Sequence, residues 1–185
     1  EVELQRTFEL DAAVNYEPAP DQSIAARAKA QGRDPFDLAL ELMMQNDGQA
    51  LLMHPFENYC AGDLEVVKEM LEDPNTVCGV ADAGAHVGVI CDASSPTSLL
   101  THWGRDRTRG EKLPLEFLVR KQTHDTARTY GLLDRGVIAP GYKADINLID
   151  FEALRLQRPH IVYDLPAGGR RVIPKADGYR PTLVS

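Results

Sequence analysis

The 185-residue sequence lacks several features that would assign it at once to a class of protein. Its three cysteines form no CxxC pair, and no apolar run approaches the roughly 18 residues that a membrane-spanning helix needs. Twenty basic and 28 acidic residues give a formal charge of −8, without any basic stripe. We therefore expect neither a nucleic acid nor a membrane as a partner.

The cysteines suggest a cellular compartment, and the two ends of the sequence suggest that it is part of a larger protein. Cys60, Cys78 and Cys91 are odd in number, which favours reduced thiols in a cytoplasmic protein over a disulfide framework. The first twenty residues have neither the charged region nor the apolar core of a signal peptide. The sequence begins with Glu1 and ends inside a predicted strand. We interpret it as part of a larger protein.

Histidine pairs that commonly bind metals are also missing, since neither HxH nor HExxH occurs. His102, His124 and His160 lie in predicted helices or strands, and we expect structural roles for them. His54 lies at the end of a predicted strand, where either a structural or a functional role is open.

Helices and strands alternate along the first 133 residues. Asp34 and Pro35 mark a helix start, and Phe36, Ala39, Leu40 and Met43 recur after them at helical spacing. The alternation predicts βα units with parallel strands, and two such units are too few for a stable sheet. The expected helices span 22–32, 34–46, 63–71 and 113–122, with another from Thr123 to Gly131, and the expected strands span 49–55 and 77–81.

The remaining residues, 134–185, have a different character. Glycine and proline punctuate predicted strands at 144–150, 160–166 and 170–174. We therefore predict two segments, with 1–133 forming the last βα units of an incomplete barrel or sheet and 134–185 forming a small β region.

The stretch "GVADAGAH" (79–86) is the main candidate for chemistry. Asp82 follows a predicted strand, and in a βα barrel ligands and metals gather at the carboxyl ends of strands. Asp82 could bind a divalent metal and accept a proton, or it could cap a turn. His86 could contact a substrate carbonyl or a metal ligand, or it could be an ordinary loop residue. Arg105 and Arg107 could clamp a substrate carboxylate, or form a solvated ion-pair surface with Asp106 and Glu111.

Longer blocks resemble a known family. The sequences "GVADAGAHVGVICDASSPTSLLTHWGRDR", "TARTYGLLDRGVIAPGYKADINLID" and "DLPAGGRRVI" resemble the carboxyl-terminal part of the N-acyl-D-amino-acid deacylases, the D-aminoacylase group of the metal-dependent amidohydrolase superfamily. With "YEPAPDQSIAARAKAQGRDP" and "PFENYCAGDLEVVKEML", the resemblance covers nearly all of the chain.

The resemblance implies a fold and a set of site residues. It implies an α/β fold, the C-terminal part of a (β/α)8 TIM-type barrel with Zn²⁺ at its mouth, and part of a small β-sandwich. Asp82 matches the acid that contacts the metal and shuttles a proton, and His86 matches the histidine of the same loop. The main zinc ligands are expected upstream. The family's substrate-binding arginine is missing from "VGVICDASSPT", so Arg105 or Arg107 is expected to replace it.

The sequence therefore predicts the C-terminal part of a zinc-dependent amidohydrolase that cleaves N-acyl-D-amino acids and is inactive in isolation. Alternatives are a hydantoinase-like hydrolase of cyclic amides and a non-catalytic assembly module. Expected partners are a small-molecule N-acyl amino acid, the remainder of the barrel and, in a homo-oligomer, another copy of the chain.

Overall fold

The computed structural model of the chain describes residues 3–79, 86–90 and 92–185, which form two compact units. The first unit comprises Glu1–Lys68 and Arg158–Ile173, and the second comprises Glu69–Gln157 and Pro174–Ser185. Both combine helices with β-strands, as expected for an α/β chain. The boundary predicted at residue 134 separates a barrel segment from a β segment in the complete protein, and it stays a prediction.

The regular elements of the described residues are short. The helices are α1 (Ile24–Gln31), α2 (Pro35–Met43), the single turn α3 (Gln45–Gly48), α4 (Glu65–Glu72), α5 (Ser95–Thr101), α6 (Leu115–Arg120) and α7 (Thr126–Thr129), with π-helical turns at His102–Asp106 and Lys121–Asp125. The strands are β1 (Phe8–Glu9), β2 (Leu52–Met53), β3 (Ile146–Ile149), β4 (Arg155–Leu156), β5 (His160–Leu165), β6 (Gly169–Ile173), β7 (Ala176–Asp177) and β8 (Tyr179–Leu183). No helix of the described residues has both the length and the apolar character to cross a membrane.

Local capping explains where the first two helices begin and end. The Ser23 hydroxyl accepts the backbone N–H of Ala26 at 3.2 Å, and the Asp34 carboxylate accepts that of Phe36 at 2.8 Å. Gly32 ends α1 with a φ of 63°, a left-handed conformation that glycine adopts without steric cost. The predicted start of α2 and the predicted end of α1 are confirmed.

The face that α2 buries differs from the apolar spacing read in the sequence. Leu38 and Leu42 are buried in the core of the first unit, whereas Phe36 and Leu40 are 60% and 57% exposed. Ala39 is the only residue of the predicted spacing that is buried. Helical periodicity identified the element, but the choice between two apolar faces depends on its tertiary partners. That core consists of Leu4, Ile24, Ala28, Leu38, Ala39 and Leu42.

Strand pairing in the described residues is antiparallel throughout, in four two-stranded sheets. The strand expected near residue 50 appears as β2, but it pairs antiparallel with β1 rather than parallel with a strand near residue 78. In the same unit the Phe8 side chain of β1 is buried edge-on against Tyr59, with ring centroids 5.8 Å apart. Residues 77–79 form no strand, and 80–81 lie outside the described residues. The complete barrel stays a prediction.

One continuous helical segment in the second unit replaces the two helices expected over 113–131. Helix α6 leads through the π-helical turn Lys121–Asp125 directly into α7. The Thr126 hydroxyl donates to the carbonyl oxygen of Lys121 at 2.8 Å, which satisfies an acceptor in the widened turn. Gly131, with a φ of 73°, follows the end of the segment as predicted.

The C-terminal strands confirm the sequence prediction, and a close backbone approach precedes them. β3 and β5 lie within the predicted strand segments 144–150 and 160–166, and β6 overlaps the segment 170–174 but begins one residue earlier, at Gly169. Gly136, with a φ of 84°, lies against the π-helical turn, where an added Cβ would be 2.9 Å from both the Cα of His124 and the carbonyl oxygen of Thr123. This segment therefore has room for glycine only.

We predict that Gly136→Ala destabilises the protein more than Gly141→Ala does. Both glycines have positive φ, 84° and 87°, so each alanine incurs the left-handed backbone cost of about 1–2 kcal/mol. Only at Gly136 does the new Cβ also meet backbone atoms, and such overpacking adds about 1–3 kcal/mol. Urea unfolding of the two variants measures the difference, and equal losses would contradict the steric explanation.

Candidate functional site

Asp82, the residue predicted to shuttle protons, lies outside the described residues, and its role stays a prediction. The described neighbours of this stretch are Gly79 on one side and His86 on the other, and both are exposed.

His86 begins the turn that follows the candidate loop. Its carbonyl oxygen accepts the backbone N–H groups of Val89 and Ile90 at 2.9 and 3.0 Å. Its φ is 46°, a left-handed conformation that is uncommon for residues other than glycine, although histidine is enriched in it. The residue is exposed. Its functional role stays a prediction.

A buried ammonium group holds the turn that precedes the candidate loop. Lys121 is 3% exposed, and its Nζ donates to the carbonyl oxygens of Asp73 and Thr76 at 2.8 and 2.6 Å. Its third contact is the Thr76 hydroxyl at 3.2 Å. All three ammonium protons therefore have acceptors in one short turn.

The Cys78 thiol lies between this turn and Asp82 in the sequence. It is partly buried, and burial raises its pKa above the usual range of a cysteine, although the positive charge of Lys121 partly offsets the effect. A thiol of raised pKa is a poor nucleophile at neutral pH. Burial therefore favours the neutral thiol form of Cys78.

Arg105 makes several contacts within the second unit. Its guanidinium pairs with the Asp106 carboxylate through two hydrogen bonds of 2.6 and 2.9 Å. It also donates to the carbonyl oxygens of Phe151 and of Leu154, the latter at 2.7 Å, and lies 5.3 Å from the centre of the Phe151 ring. These contacts tie the π-helical turn His102–Asp106 to the segment before β4, which is a structural role.

Arg107 is more completely enclosed than Arg105. It is 1% exposed, it donates to the carbonyl oxygen of Glu111 at 3.0 Å, and its guanidinium lies 4.5 Å from the centre of the Trp103 ring. Substrate binding by Arg105 or Arg107 stays a prediction.

The other histidines have identifiable neighbours. His54 Nδ1 lies 2.9 Å from the Thr7 hydroxyl, and His124 Nδ1 lies 2.8 Å from the Asp125 carboxylate. That hydrogen bond, followed by one from Arg120, holds the pKa of Asp125 below its usual range. The described residues contain no group of three or more histidine, cysteine, aspartate or glutamate side chains that could hold a metal ion. They do not by themselves fit a complete zinc centre.

Sequence reasoning did not identify Lys121 or Glu17 as important. The Glu17 carboxylate is 2% exposed and accepts the backbone N–H of Leu64 at 2.9 Å, just before α4. One signal for Lys121 exists: it follows the fully buried Leu118 by three residues, which places a charged residue on the buried face of a helix. No comparable local signal points to Glu17.

The fold is that of a mixed α/β chain, and comparison with protein families assigns it more narrowly. The sequence model of the amidohydrolase family matches residues 4–184. The chain therefore belongs to the amidohydrolase family, hydrolases of C–N bonds that generally bind metal ions.

Two curated relatives are similar to part of the chain. Each is a 5-methylthioadenosine/S-adenosylhomocysteine deaminase of Desulfitobacterium hafniense, one from strain DSM 10664 / DCB-2 and the other from strain Y51. Both are 36% identical over 104 residues, which cover 49% of this chain and 24% of the relative. The match thus spans about a quarter of the length of these relatives. No solved structure matches the chain significantly.

We predict that Arg105→Met lowers the free energy of unfolding by about 1–3 kcal/mol, because it leaves backbone carbonyl groups without their donor. The control is Arg170→Met, which removes an exposed arginine and is expected to change stability by no more than about 0.5 kcal/mol. Denaturant unfolding measures both variants. Equal effects would contradict the anchoring role of Arg105.

Proposed function

We propose that this chain is part of a metal-dependent amidohydrolase that hydrolyses the amide bond of N-acyl-D-amino acids. The family match over residues 4–184 is the observation that carries the reaction class. The narrower substrate is supported by the "DAGAH", "THWGRDR" and "DLPAGGRR" blocks, which resemble the N-acyl-D-amino-acid deacylases.

In the proposed reaction, Asp82 is the group that moves the proton. Its carboxylate takes a proton from the attacking water as the oxygen adds to the amide carbonyl carbon, and it then protonates the leaving nitrogen. The C–N bond breaks, a C–O bond forms, and the products are a carboxylate and an amine. His86 is proposed to donate a hydrogen bond to the substrate carbonyl or to a metal ligand.

Zn²⁺ is the metal that we propose, with Asp82 as one ligand and the main ligands supplied by other parts of the protein. When bound, zinc polarises a carbonyl oxygen and makes bound water more acidic.

Arg105 is the better of the two proposed partners for the substrate carboxylate. Its present partner, Asp106, is itself a carboxylate and is exposed, so a substrate carboxylate can replace it in the same bidentate geometry. Arg107 would have to leave the Trp103 ring and an environment in which it is 1% exposed.

A second candidate function is deamination, because both curated relatives are named as deaminases of 5-methylthioadenosine or S-adenosylhomocysteine. Hydrolysis of a cyclic amide, as in hydantoinases, is the alternative that the sequence itself left open, together with a non-catalytic assembly role. The cytoplasmic location and the homo-oligomer also stay predictions. Cys60 and Cys78, which form no disulfide, are compatible with a reducing compartment.

A substrate panel decides between these functions. We expect the full-length, zinc-loaded protein to release amino acid from N-acetyl-D-leucine faster than it opens hydantoin or deaminates 5-methylthioadenosine. The first two reactions are followed by chromatography and the third by ammonia release. Preference for hydantoin or for the nucleoside would replace the proposed substrate with that alternative, and no turnover of any of the three would favour the assembly role.

We predict that Asp82→Asn in the full-length protein lowers kcat by about 10²- to 10⁴-fold, because asparagine has the shape of aspartate but cannot accept a proton. The control is Asp37→Asn, which neutralises an exposed carboxylate on α2 and is expected to leave turnover unchanged. Unfolding curves verify that both variants fold. Near-normal turnover of Asp82→Asn would eliminate the proton-transfer role.

A further inference from the structure

His54 is a partly buried histidine that the proposed chemistry does not use. It directly follows β2, and its Nδ1 lies 2.9 Å from the hydroxyl of Thr7, the residue just before the partner strand β1. That hydroxyl has a single proton, which it donates to the carbonyl oxygen of Glu3 at 3.0 Å. Only the lone pairs of the Thr7 oxygen remain for the imidazole. Nδ1 of His54 therefore carries a proton and donates it to Thr7.

The proton on Nδ1 determines what the other ring nitrogen of His54 can do. In a neutral imidazole one nitrogen is a donor and the other an acceptor, so Nε2 keeps its lone pair. Among the described residues, the imidazole forms a hydrogen bond only with Thr7. Thr7 is 3% exposed, so solvent hardly competes for its oxygen. Nε2 is thus an acceptor that is held in one orientation.

An exposed aromatic ring lies beside this acceptor. The Phe56 ring is 73% exposed and is inclined at 74° to the imidazole, with the ring centroids 5.7 Å apart. The Arg6 guanidinium donates to the carbonyl oxygens of Pro55 and Phe56 at 2.9 and 3.0 Å, which fixes the backbone that carries the ring. Small-molecule sites combine apolar or aromatic surface with a few fixed polar groups in this way.

The acceptor and the ring together define the chemistry of a ligand. Nε2 of His54 requires an N–H or O–H donor, and Phe56 favours an apolar group close to that donor. An N-acyl amino acid with an apolar side chain has both, because its amide nitrogen and its side chain are attached to the same carbon atom. Ligand sites of α/β barrels form at the carboxyl ends of strands, and His54 lies at that end of β2.

We propose that His54 and Phe56 bind substrate: Nε2 of His54 accepts the amide N–H of an N-acyl amino acid, and the Phe56 ring packs against its apolar side chain. The choice of this substrate rests on the proposed function. The tautomer of His54 does not depend on it. Hydantoin and 5-methylthioadenosine also carry N–H donors, so the role of His54 is testable with each of the three substrates.

The first test reads the tautomer of His54 by NMR of the ring nitrogens in the full-length protein with isotope-labelled histidine. For the neutral ring, we expect a proton on Nδ1 and none on Nε2. Thr7→Val, which removes the hydroxyl, is expected to give a mixture of both tautomers, whereas Thr7→Ser is expected to keep the wild-type form. A proton on Nε2 in the wild type would overturn the proposal.

The second test measures whether a ligand covers Nε2. Diethyl pyrocarbonate acylates accessible, unprotonated imidazole nitrogens, and mass spectrometry locates the product. We expect His54 to react in the free full-length protein, and at least about tenfold more slowly with N-acetyl-D-leucine in large excess over its Kd. His160, which is exposed on β5, is the internal control and is expected to react equally in both samples. An unreactive His54, or one that none of the three substrates protects, would overturn the proposal.

The third test separates substrate binding from a structural role of His54. Asparagine places an amide N–H near the position of Nδ1 and retains a donor for Thr7, whereas glutamine places its amide near the position of Nε2. We expect His54→Asn to lower kcat/KM by about 10- to 100-fold and His54→Gln to lower it by less than about fivefold. Unfolding curves verify that both variants fold. Activity of His54→Asn equal to or above that of His54→Gln would overturn the binding role.

Phe56→Ala tests the apolar part of the site. We expect KM to rise about tenfold for N-acetyl-D-leucine and less than about threefold for N-acetyl-D-alanine, whose side chain buries less apolar surface. Phe36→Ala, which removes an exposed ring on α2, is the control and is expected to change neither KM. Equal increases for the two substrates would overturn the contact with Phe56. Failure of the proposed function is distinguishable, because it appears as a preference for hydantoin or 5-methylthioadenosine while the tautomer and the protection of His54 are retained.

Discussion

The conformation of the turn at residues 73–76 in the second unit depends on one constraint, the need of a buried ammonium for three acceptors. Lys121 finds them in this single turn, at the carbonyl oxygens of Asp73 and Thr76 and at the Thr76 hydroxyl. The charge therefore favours the conformation in which these three oxygens meet the ammonium. A hydrophobic residue in the same place would fill the space but would leave two carbonyl groups without a donor.

Features determined by neighbouring residues were predictable from the sequence. The Ser23 and Asp34 caps, the glycine that ends α1 and the strand segments around β5 and β6 all arise from interactions within a few positions of the chain. Gly131 is predictable for the same reason, since a left-handed residue after a helix favours glycine whatever the rest of the fold does. The family resemblance was equally accessible, because it is carried by contiguous blocks.

Features determined by residues distant in the sequence could not be predicted from it. Periodicity could not decide that α2 buries Leu38 and Leu42 and exposes Leu40, because the core against which they pack includes Leu4 and Ile24. The strand near residue 50 was expected to be parallel from the alternation of strands and helices, but its antiparallel partner lies more than forty residues earlier. The same limit applies to the site: Arg105 was considered for substrate binding from its charge alone, whereas its contacts with Phe151 and Leu154 could not be read from the sequence.

The π-helical turn Lys121–Asp125 connects two other segments of the second unit, residues 73–76 and Gly136. Its Lys121 ammonium binds residues 73–76. Its backbone at Thr123 and His124 packs against Gly136 and leaves no room there for a side chain. The extra residue of a π-helical turn is usually unfavourable, and here the Thr126 hydroxyl compensates by donating to the carbonyl oxygen of Lys121. A change that widened the contact at Gly136 would therefore act on the same turn that directs the ammonium. Packing at Gly136 and the hydrogen bonds to residues 73–76 are therefore linked through one turn of the second unit.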